Sequence, residues 1–255
     1  MLLCVDIGNT NIVLGLWDTR QWLAHWRVWT IREKMADEYN VLLKALLQND
    51  GYKIKSITRV IISSVVPPLT PVFKELFTRY PWIEVLTVAP GVRTGLRIRI
   101  DNPVELGADL VADAVAAYHR FRSACIIVDF GTATTFSAVS KEGDFLGVAI
   151  APGVGVAADA LVNHTSQLMR VALVPPPAVI GKNTVHSMQS GLIFGYVGLV
   201  EGMIRRIRAE LGGEAQVVAT GGLSSVLAPL TKEIDAVDPW LTLEGLRLIS
   251  ELNAT

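Results

Sequence analysis

Three apolar runs of strand length open the chain, Leu2 to Ile7, Ile12 to Trp17 and Trp22 to Trp29, separated by two short polar breaks. With Asp18-Thr19-Arg20 as a hairpin loop, they predict an antiparallel meander. The period then changes to helical spacing from about Ala36 to Gln48, returns to a strand at Arg59 to Ser64, gives a helix after Pro67-Pro68, and ends in a strand near Glu84 to Val88. A Gly- and Arg-rich connection, Pro90 to Gly95, leads into the alternating run Leu96-Arg97-Ile98-Arg99-Ile100, which is expected to border a functional cleft. Beyond it a helix is predicted from Leu106 to Phe121. Strands follow at Cys125 to Asp129, Thr135 to Ser140 and Phe145 to Ile150, so the meander returns. The remainder reads as a helix from Gly153 to about Val162, an irregular Pro175-Pro176-Pro177 connection, and a long glycine-containing helix from Val185 to Leu211. It closes with a strand from Gln216 to Ala219, a tight turn at Thr220-Gly221-Gly222 and a helix from Thr242 to about Leu252.

The repeated meander carries a repeated motif. Val5-Asp6-Ile7-Gly8-Asn9-Thr10-Asn11 and Val128-Asp129-Phe130-Gly131-Thr132-Ala133-Thr134-Thr135 both take an apolar strand to an Asp, then a Gly, then small hydroxyl or amide residues. Glycine permits a tight reversal and lets backbone N–H groups approach an anion; the hydroxyls of Thr10 and Thr132 can donate, and the carboxylates can hold a hydrated cation. The pair of turns implies an ATP-handling cleft between two similar halves. The expected fold is α/β and duplicated, with domains 1–115 and 116–255. Each motif alone has a plainer reading: Asp-x-Gly after a strand is commonly only a turn, and Thr132 to Thr135 are ordinary β-branched strand residues.

Composition narrows the classes. Half of the 255 residues are hydrophobic, enough for a substantial core without disulfides, and a formal net charge of -1 gives no global field for nucleic acid or an anionic membrane. Apolar stretches are broken well short of a membrane span, and no basic leader precedes Asp6, so a cytoplasmic protein with no membrane partner is expected. Cys4 and Cys125 lie inside apolar runs and read as buried free thiols. His25, His119, His164 and His186 show no metal-ligand spacing, and no Ser-His-Asp set emerges. Trp17, Trp22, Trp26 and Trp29 are read as strand packing.

An ordered set of motifs spanning the chain resembles the type III pantothenate kinases, of the acetate and sugar kinase, heat-shock-70 and actin superfamily. Its parts are Asp6 to Asn11, Asp101-Asn102-Pro103 leading to Gly107-Ala108-Asp109, Asp129 to Thr135, Pro152-Gly153, Gly181-Lys182-Asn183-Thr184 and Thr220-Gly221-Gly222. The resemblance implies a duplicated actin-like (ribonuclease H-like) two-domain fold. It also implies transfer of the γ-phosphoryl group of ATP to the 4'-hydroxyl of pantothenate, opening coenzyme A synthesis.

Residue roles follow from the same resemblance. Asp6 would hold Mg²⁺ through water, and Gly8, Asn9, Thr10 and Asn11 would surround the transferred phosphoryl group. Gly131 and Thr132 would form the second phosphate loop, with Asp129 binding a monovalent cation, K⁺ or NH₄⁺. Asp109 would be the catalytic base, within a substrate-binding set of Ile100, Gly107, Ala108, Asp109, Leu110 and Thr184. Thr184 would reach pantothenate across a homodimer interface. Taken without the resemblance, Asp109 is also a helix-dipole carboxylate and Asn183 or Thr184 an N-cap. Lys182, Arg93, Arg97 and Arg99 are possible anion partners, although exposed basic residues are usually only solvated.

Three positions depart from the family pattern. Leu110 stands where Arg is usual, Ile100 where Tyr is usual, and Ser137 where Asp is frequent. The nucleotide side is thus intact while the acceptor side is more apolar. This leaves two alternatives beside pantothenate kinase: a kinase of the same fold with another hydroxyl acceptor, or a catalytically impaired nucleotide-binding regulator.

Overall fold

The chain alternates between short buried strands and amphipathic helices. The computed structural model describes residues 1–254. In order these are β1 (Leu2–Ile7), β2 (Asn11–Trp17), β3 (Trp22–Trp29), α1 (Ala36–Asn49), β4 (Arg59–Ser64), α2 (Leu69–Thr78), β5 (Glu84–Thr87), β6 (Arg97–Ile98) and α3 (Ala108–Phe121). Then come β7 (Cys125–Phe130), β8 (Ala133–Val139), β9 (Asp144–Pro152), α4 (Val154–Asn163), α5 (Thr184–Glu210), β10 (Gln216–Thr220), α6 (Ser224–Leu227), β11 (Ala236–Val237) and α7 (Leu241–Leu252).

Two sheets result. The first has the order β3-β2-β1-β4-β5, and the second β11-β10-β7-β8-β9-β6. In each, the first strand pairs antiparallel with the second and the second with the third, while the fourth and fifth add in parallel beside the first. The second sheet therefore repeats the first, with β6 added at its edge. This shared topology is the duplicated actin-like α/β fold expected from the motifs.

The chain divides into two compact units. One comprises Met1–Leu96, Asp101–Ala116 and the segment from Leu241; the other comprises Arg97–Ile100 and Ala117–Trp240. A single crossing between 115 and 116 thus misses two exchanges. The run Arg97–Ile98 pairs with Asp144–Phe145 as the edge of the second sheet, and α7 packs against β1, β4 and β2 of the first. The alternation up to Ile100 yields only a two-residue strand, because a turn through Pro103 soon follows.

In the first unit, strand alternation assigns Leu3, Val5 and Ile7 to the face covered by α1 and α2, where they meet Tyr39, Leu43, Phe73 and Phe77. Each fully buried aliphatic side chain there contributes about 1.5–3 kcal/mol. The alternate residues Leu2, Cys4 and Asp6 face the other way, toward α7 at the Cys4 level. Arg247 fixes α7: its guanidinium bonds Glu244 and Glu251 and lies 4.8 Å from the Trp17 ring centre. Trp22 Nε1 donates to the same Glu244 at 3.3 Å. Arg59 closes the far end of the helix, donating to the carbonyls of Ser250 at 2.7 Å and Asn253 at 2.6 Å. Three of the tryptophans serve packing as expected, but Trp29, at the end of β3, is 71% exposed.

In the second unit, Ile126, Val128 and Phe130 of β7 pack with Val217 and Ala219 of β10 under α5. Tyr196 OH donates to Pro152 O at 2.7 Å and ties α5 to the end of β9. Both cysteines are free and buried, and burial pushes the Cys125 thiol up to about 12. No helix among the described residues is long and apolar enough to cross a membrane.

The Cα of Gly245 lies directly on the Ala112 backbone, where an added methyl collides with the carbonyl. Gly245→Ala is expected to destabilise the protein by about 1–3 kcal/mol through overpacking, read as a lower urea midpoint with an unchanged m-value.

Candidate functional site

In the first unit the end of β1 and the start of β2 enclose the turn Gly8 to Asn11. Gly8 N–H donates to Asn11 O at 3.0 Å, closing the turn, and Asn9 and Thr10 are exposed on it. The chain after β3 braces this turn from outside: Thr30 N–H donates to Thr10 O at 2.9 Å and Thr30 Oγ1 donates to Gly8 O at 2.6 Å. Asp6, one residue before the end of β1, stands in register with Ser63 of β4. Ser63 Oγ is buried with no hydrogen-bond partner among the described residues.

Asp109 belongs to the same unit, at the second residue of α3. Burial raises its carboxyl above the ordinary aspartate value, and the Leu110 N–H, donating to Oδ1 at 2.8 Å, offsets part of the rise. A link joins this carboxylate to the first turn. Val65 N–H donates to Ile7 O at 3.1 Å, and a methyl built on Gly107 would lie 3.4 Å from Val65 Cγ1 and strike Asp109 Oδ1. One residue, Val65, thus sits between the strand end that carries the phosphate-type turn and the helix start that carries the raised carboxyl. A carboxylate with an elevated pKa is suited to taking a proton from a hydroxyl group.

The second unit holds the matching turn at Gly131 and Thr132. Gly131 N–H donates to Ala133 O at 3.1 Å, and Gly153 N–H, at the N-cap of α4, donates to Thr132 O at 3.0 Å. Asp129 lies in register between Thr135 of β8 and Thr220 of β10. Gly221 has φ +87°, and a side chain there would run into the Asp129 carboxylate and the Phe130 backbone. Only glycine meets both demands. Thr135 Oγ1 is buried with no hydrogen-bond partner among the described residues. A carboxylate with an open hydroxyl beside it is an oxygen donor set suited to a hard monovalent cation. No group of three His, Cys, Asp or Glu side chains able to cage a metal occurs among the described residues. Asp6, next to last in β1 before the Gly8–Asn11 turn, offers the single carboxylate that a hydrated Mg²⁺ bound chiefly by substrate phosphates would take.

Within the first unit the fold brings together Asp6, Gly8, Asn9, Thr10, Asn11, Gly107, Ala108, Asp109 and Leu110; Asp129, Gly131, Thr132, Thr184 and Ile100 belong to the second. Thr184 is exposed at the first residue of α5, and Asn183 is the N-cap, its Oδ1 accepting from His186 N–H at 2.9 Å. Leu110 and Ile100 are both half-buried. Arg97 and Arg99 pair with Asp144, at 2.5 and 3.5 Å, along the β6–β9 edge.

Two residues escaped the sequence reading. Arg32 Nη2 donates to Asn9 Oδ1 at 3.1 Å, so a guanidinium touches the first turn. Asp113, 2% exposed, follows Asp109 by one turn on the same face of α3. The i, i+4 spacing of two acids in an alanine-rich helix was the available signal for Asp113.

The chain is similar to known proteins along nearly its whole length. The family model described as type III pantothenate kinase matches residues 2–206. A type III pantothenate kinase of Moorella thermoacetica is 51% identical over 253 residues, covering 99% of this chain and 100% of that protein. One from Roseiflexus sp. is also 51% identical over 253 residues, covering 99% of each. Among solved structures, a conserved putative Baf family transcriptional activator from Campylobacter jejuni superposes with TM-score 0.61 at 18% identity over 98% of both chains. A putative 2-dehydro-3-deoxygalactonokinase from Sinorhizobium meliloti gives 0.59 at 14% identity, over 99% of this chain and 97% of that one. At such identities the structural likeness speaks for the fold alone.

The raised carboxyl has a stability consequence. A folded-state pKa above the unfolded value favours the protonated form, so its contribution is present at acid pH and lost as pH rises through the folded value. Asp109→Asn is therefore expected to unfold at a higher temperature than the parent at pH 7. The gap should shrink as pH falls below the Asp109 pKa, which paired thermal melts will check.

Proposed function

The chain belongs to the type III pantothenate kinase family, and from that premise we propose how its residues divide the reaction. The protein is an ATP-dependent pantothenate kinase: the pantothenate hydroxyl oxygen bonds to the γ-phosphorus of ATP, the bond to the β-phosphate oxygen breaks, and ADP leaves. The observation that supports the assignment of roles best is the Val65 link between the Gly8–Asn11 turn and the raised Asp109 carboxyl.

Asp109 accepts the hydroxyl proton as the oxygen attacks. Its elevated pKa makes it a stronger base than a solvated Asp, at the cost of staying protonated to a higher pH than a solvated Asp does. Gly8, Asn9, Thr10 and Asn11 hold the transferred group by main-chain and small polar donors, and Gly131 and Thr132 hold phosphate oxygens of ATP. Asp6 would hold Mg²⁺ through water and Asp129 a monovalent cation, and their positive charge would neutralise the phosphates. Gly107, Ala108, Leu110, Ile100 and Thr184 contact pantothenate. Because Leu110 and Ile100 are alkyl, they hold its chain by apolar contact and leave its carboxylate to other donors or to solvent.

The active species in this reading is a cytoplasmic homodimer in which Thr184 of a second copy completes each site. Exposed Val179 and Ile180, the latter 82% accessible, stand just before that helix and support its burial against another copy.

The test is ADP release from Mg-ATP in potassium or ammonium buffer, with and without pantothenate. Turnover should require pantothenate, and kcat/KM should rise with pH through the Asp109 pKa. Asp109→Asn is expected to lose about 10²–10⁴-fold in rate and to lack that acid limb. Release of ADP independent of pantothenate, or an unchanged pH profile in the variant, would refute the assignment.

A further inference from the structure

We propose that Arg32 is a catalytic residue of this kinase, its guanidinium contacting the transferred phosphoryl group from the outer side of the Gly8–Asn11 turn; the proposal rests on the kinase reading above.

Three observations carry it. The first is placement: Arg32 Nη2 donates to Asn9 Oδ1 at 3.1 Å, on an exposed part of the turn that the reaction uses. The second is rigidity of the backbone that presents it. Thr30 is bonded twice to the turn, at Gly8 O and Thr10 O, and Ile31 is clamped by Tyr39, whose OH donates to Ile31 O at 2.8 Å and accepts from Ile31 N–H at 3.2 Å. Tyr39 is itself buried, with its ring centre 4.8 Å from that of Phe73 in the α1–α2 core. The segment bearing Arg32 is therefore fastened to both the phosphate turn and the hydrophobic core. A merely solvated arginine has no need of such a mount.

The third observation is what the guanidinium does not do. No carboxylate lies in ion-pair range of Arg32 among the described residues. Of the nearby acids, Asp37 pairs with Arg79, Glu38 accepts from Met35 N–H at the start of α1, and the adjacent, exposed Glu33 makes no ion pair with Arg32. Lys34, the other cation of the segment, lies over the Tyr39 ring. Arginine has five N–H donors in a planar fork, and one donation to Asn9 leaves the rest able to engage phosphoryl oxygens. Charge spreads over those oxygens as the phosphoryl group moves between partners, and a guanidinium aimed at them stabilises the transition state more than the ground state. Asn9 then has a defined part as the positioning residue that orients the fork.

The experiment compares parent, Arg32→Ala, Arg32→Lys and Asn9→Ala in steady-state turnover with Mg-ATP and pantothenate. Arg32→Ala is expected to lose about 10³-fold in kcat, the low end for catalytic arginines because the site is exposed. Its pantothenate KM and ADP affinity should stay within about two-fold of the parent, and its melting temperature within about 2 °C, as for a surface substitution. Guanidinium ion at ~50 mM, far below denaturing levels, should restore part of the lost rate in Arg32→Ala and none in the parent. Arg32→Lys should fall between, and Asn9→Ala should show a smaller loss of kcat. Retention of kcat by Arg32→Ala overturns the proposal, as does a loss that guanidinium does not rescue. Absence of pantothenate-dependent turnover in the parent overturns the functional reading and this proposal together, whereas normal parent turnover with a fully active Arg32→Ala overturns this one alone.

Discussion

Each unit must hold a carboxylate at the end of a strand whose other residues are buried in hydrocarbon. Asp6 follows Leu3, Cys4 and Val5, and Asp129 follows Ile126, Ile127 and Val128, all essentially inaccessible to water. Placing an anion there is costly unless polar groups converge on it. Turns without bulk solve the problem. Behind Asp129 the Gly221 turn passes so close that no side chain fits, and the neighbouring strands present Thr135 and Thr220 at the same level. Such an arrangement leaves the carboxylate surrounded by small polar groups and backbone, which is also what a cation or a phosphate requires. Stability and chemistry here place the same demand on the sequence.

Asp109 answers that demand differently. Its carboxyl is surrounded by protein and receives a donation from Leu110, yet its protonation remains easier than that of a solvated Asp. The helix start bearing it leans on Val65, which belongs to the segment just after β4 and bonds the last residue of β1. The position of Asp109 is thus tied to the end of β1 through Val65 and Gly107, short segments that directly flank β4 and α3. That suits a reaction in which alignment of nucleophile and phosphorus accounts for most of the acceleration.

Both Asp-x-Gly turns could be read in the sequence because they depend on residue types that few other roles require in that order: a strand, an acid, a glycine, then small polar side chains. The strands around them were legible for the same reason, since alternation and Gly punctuation are local properties. Arg32 was not legible, because its meaning comes from Thr30 and Tyr39, which fasten its segment to the turn through bonds that no spacing rule anticipates. β11 is too short, at two residues, to carry a period. The destination of α7 was hidden as well: its apolar stripe requires some sheet to cover it, but only Gly245 against Ala112 and Arg247 over Trp17 decide which.

That last helix bears on the order in which the protein comes into being. The first sheet, both braces of the Gly8–Asn11 turn and the Asp109 helix are synthesised early, but the face of β1 and β4 opposite α1 and α2 stays bare until α7 emerges. Translation proceeds at roughly 5–20 residues per second, so this apolar face waits on the order of ten seconds beside the ribosome while the whole second unit is made. The early half of the chain cannot finish before the late half. The helix that bears Asp109 is therefore secured by the final helix to be translated, through Gly245 against Ala112, and a ribosome that stalls before Leu241 releases a nascent chain with an unfinished first unit.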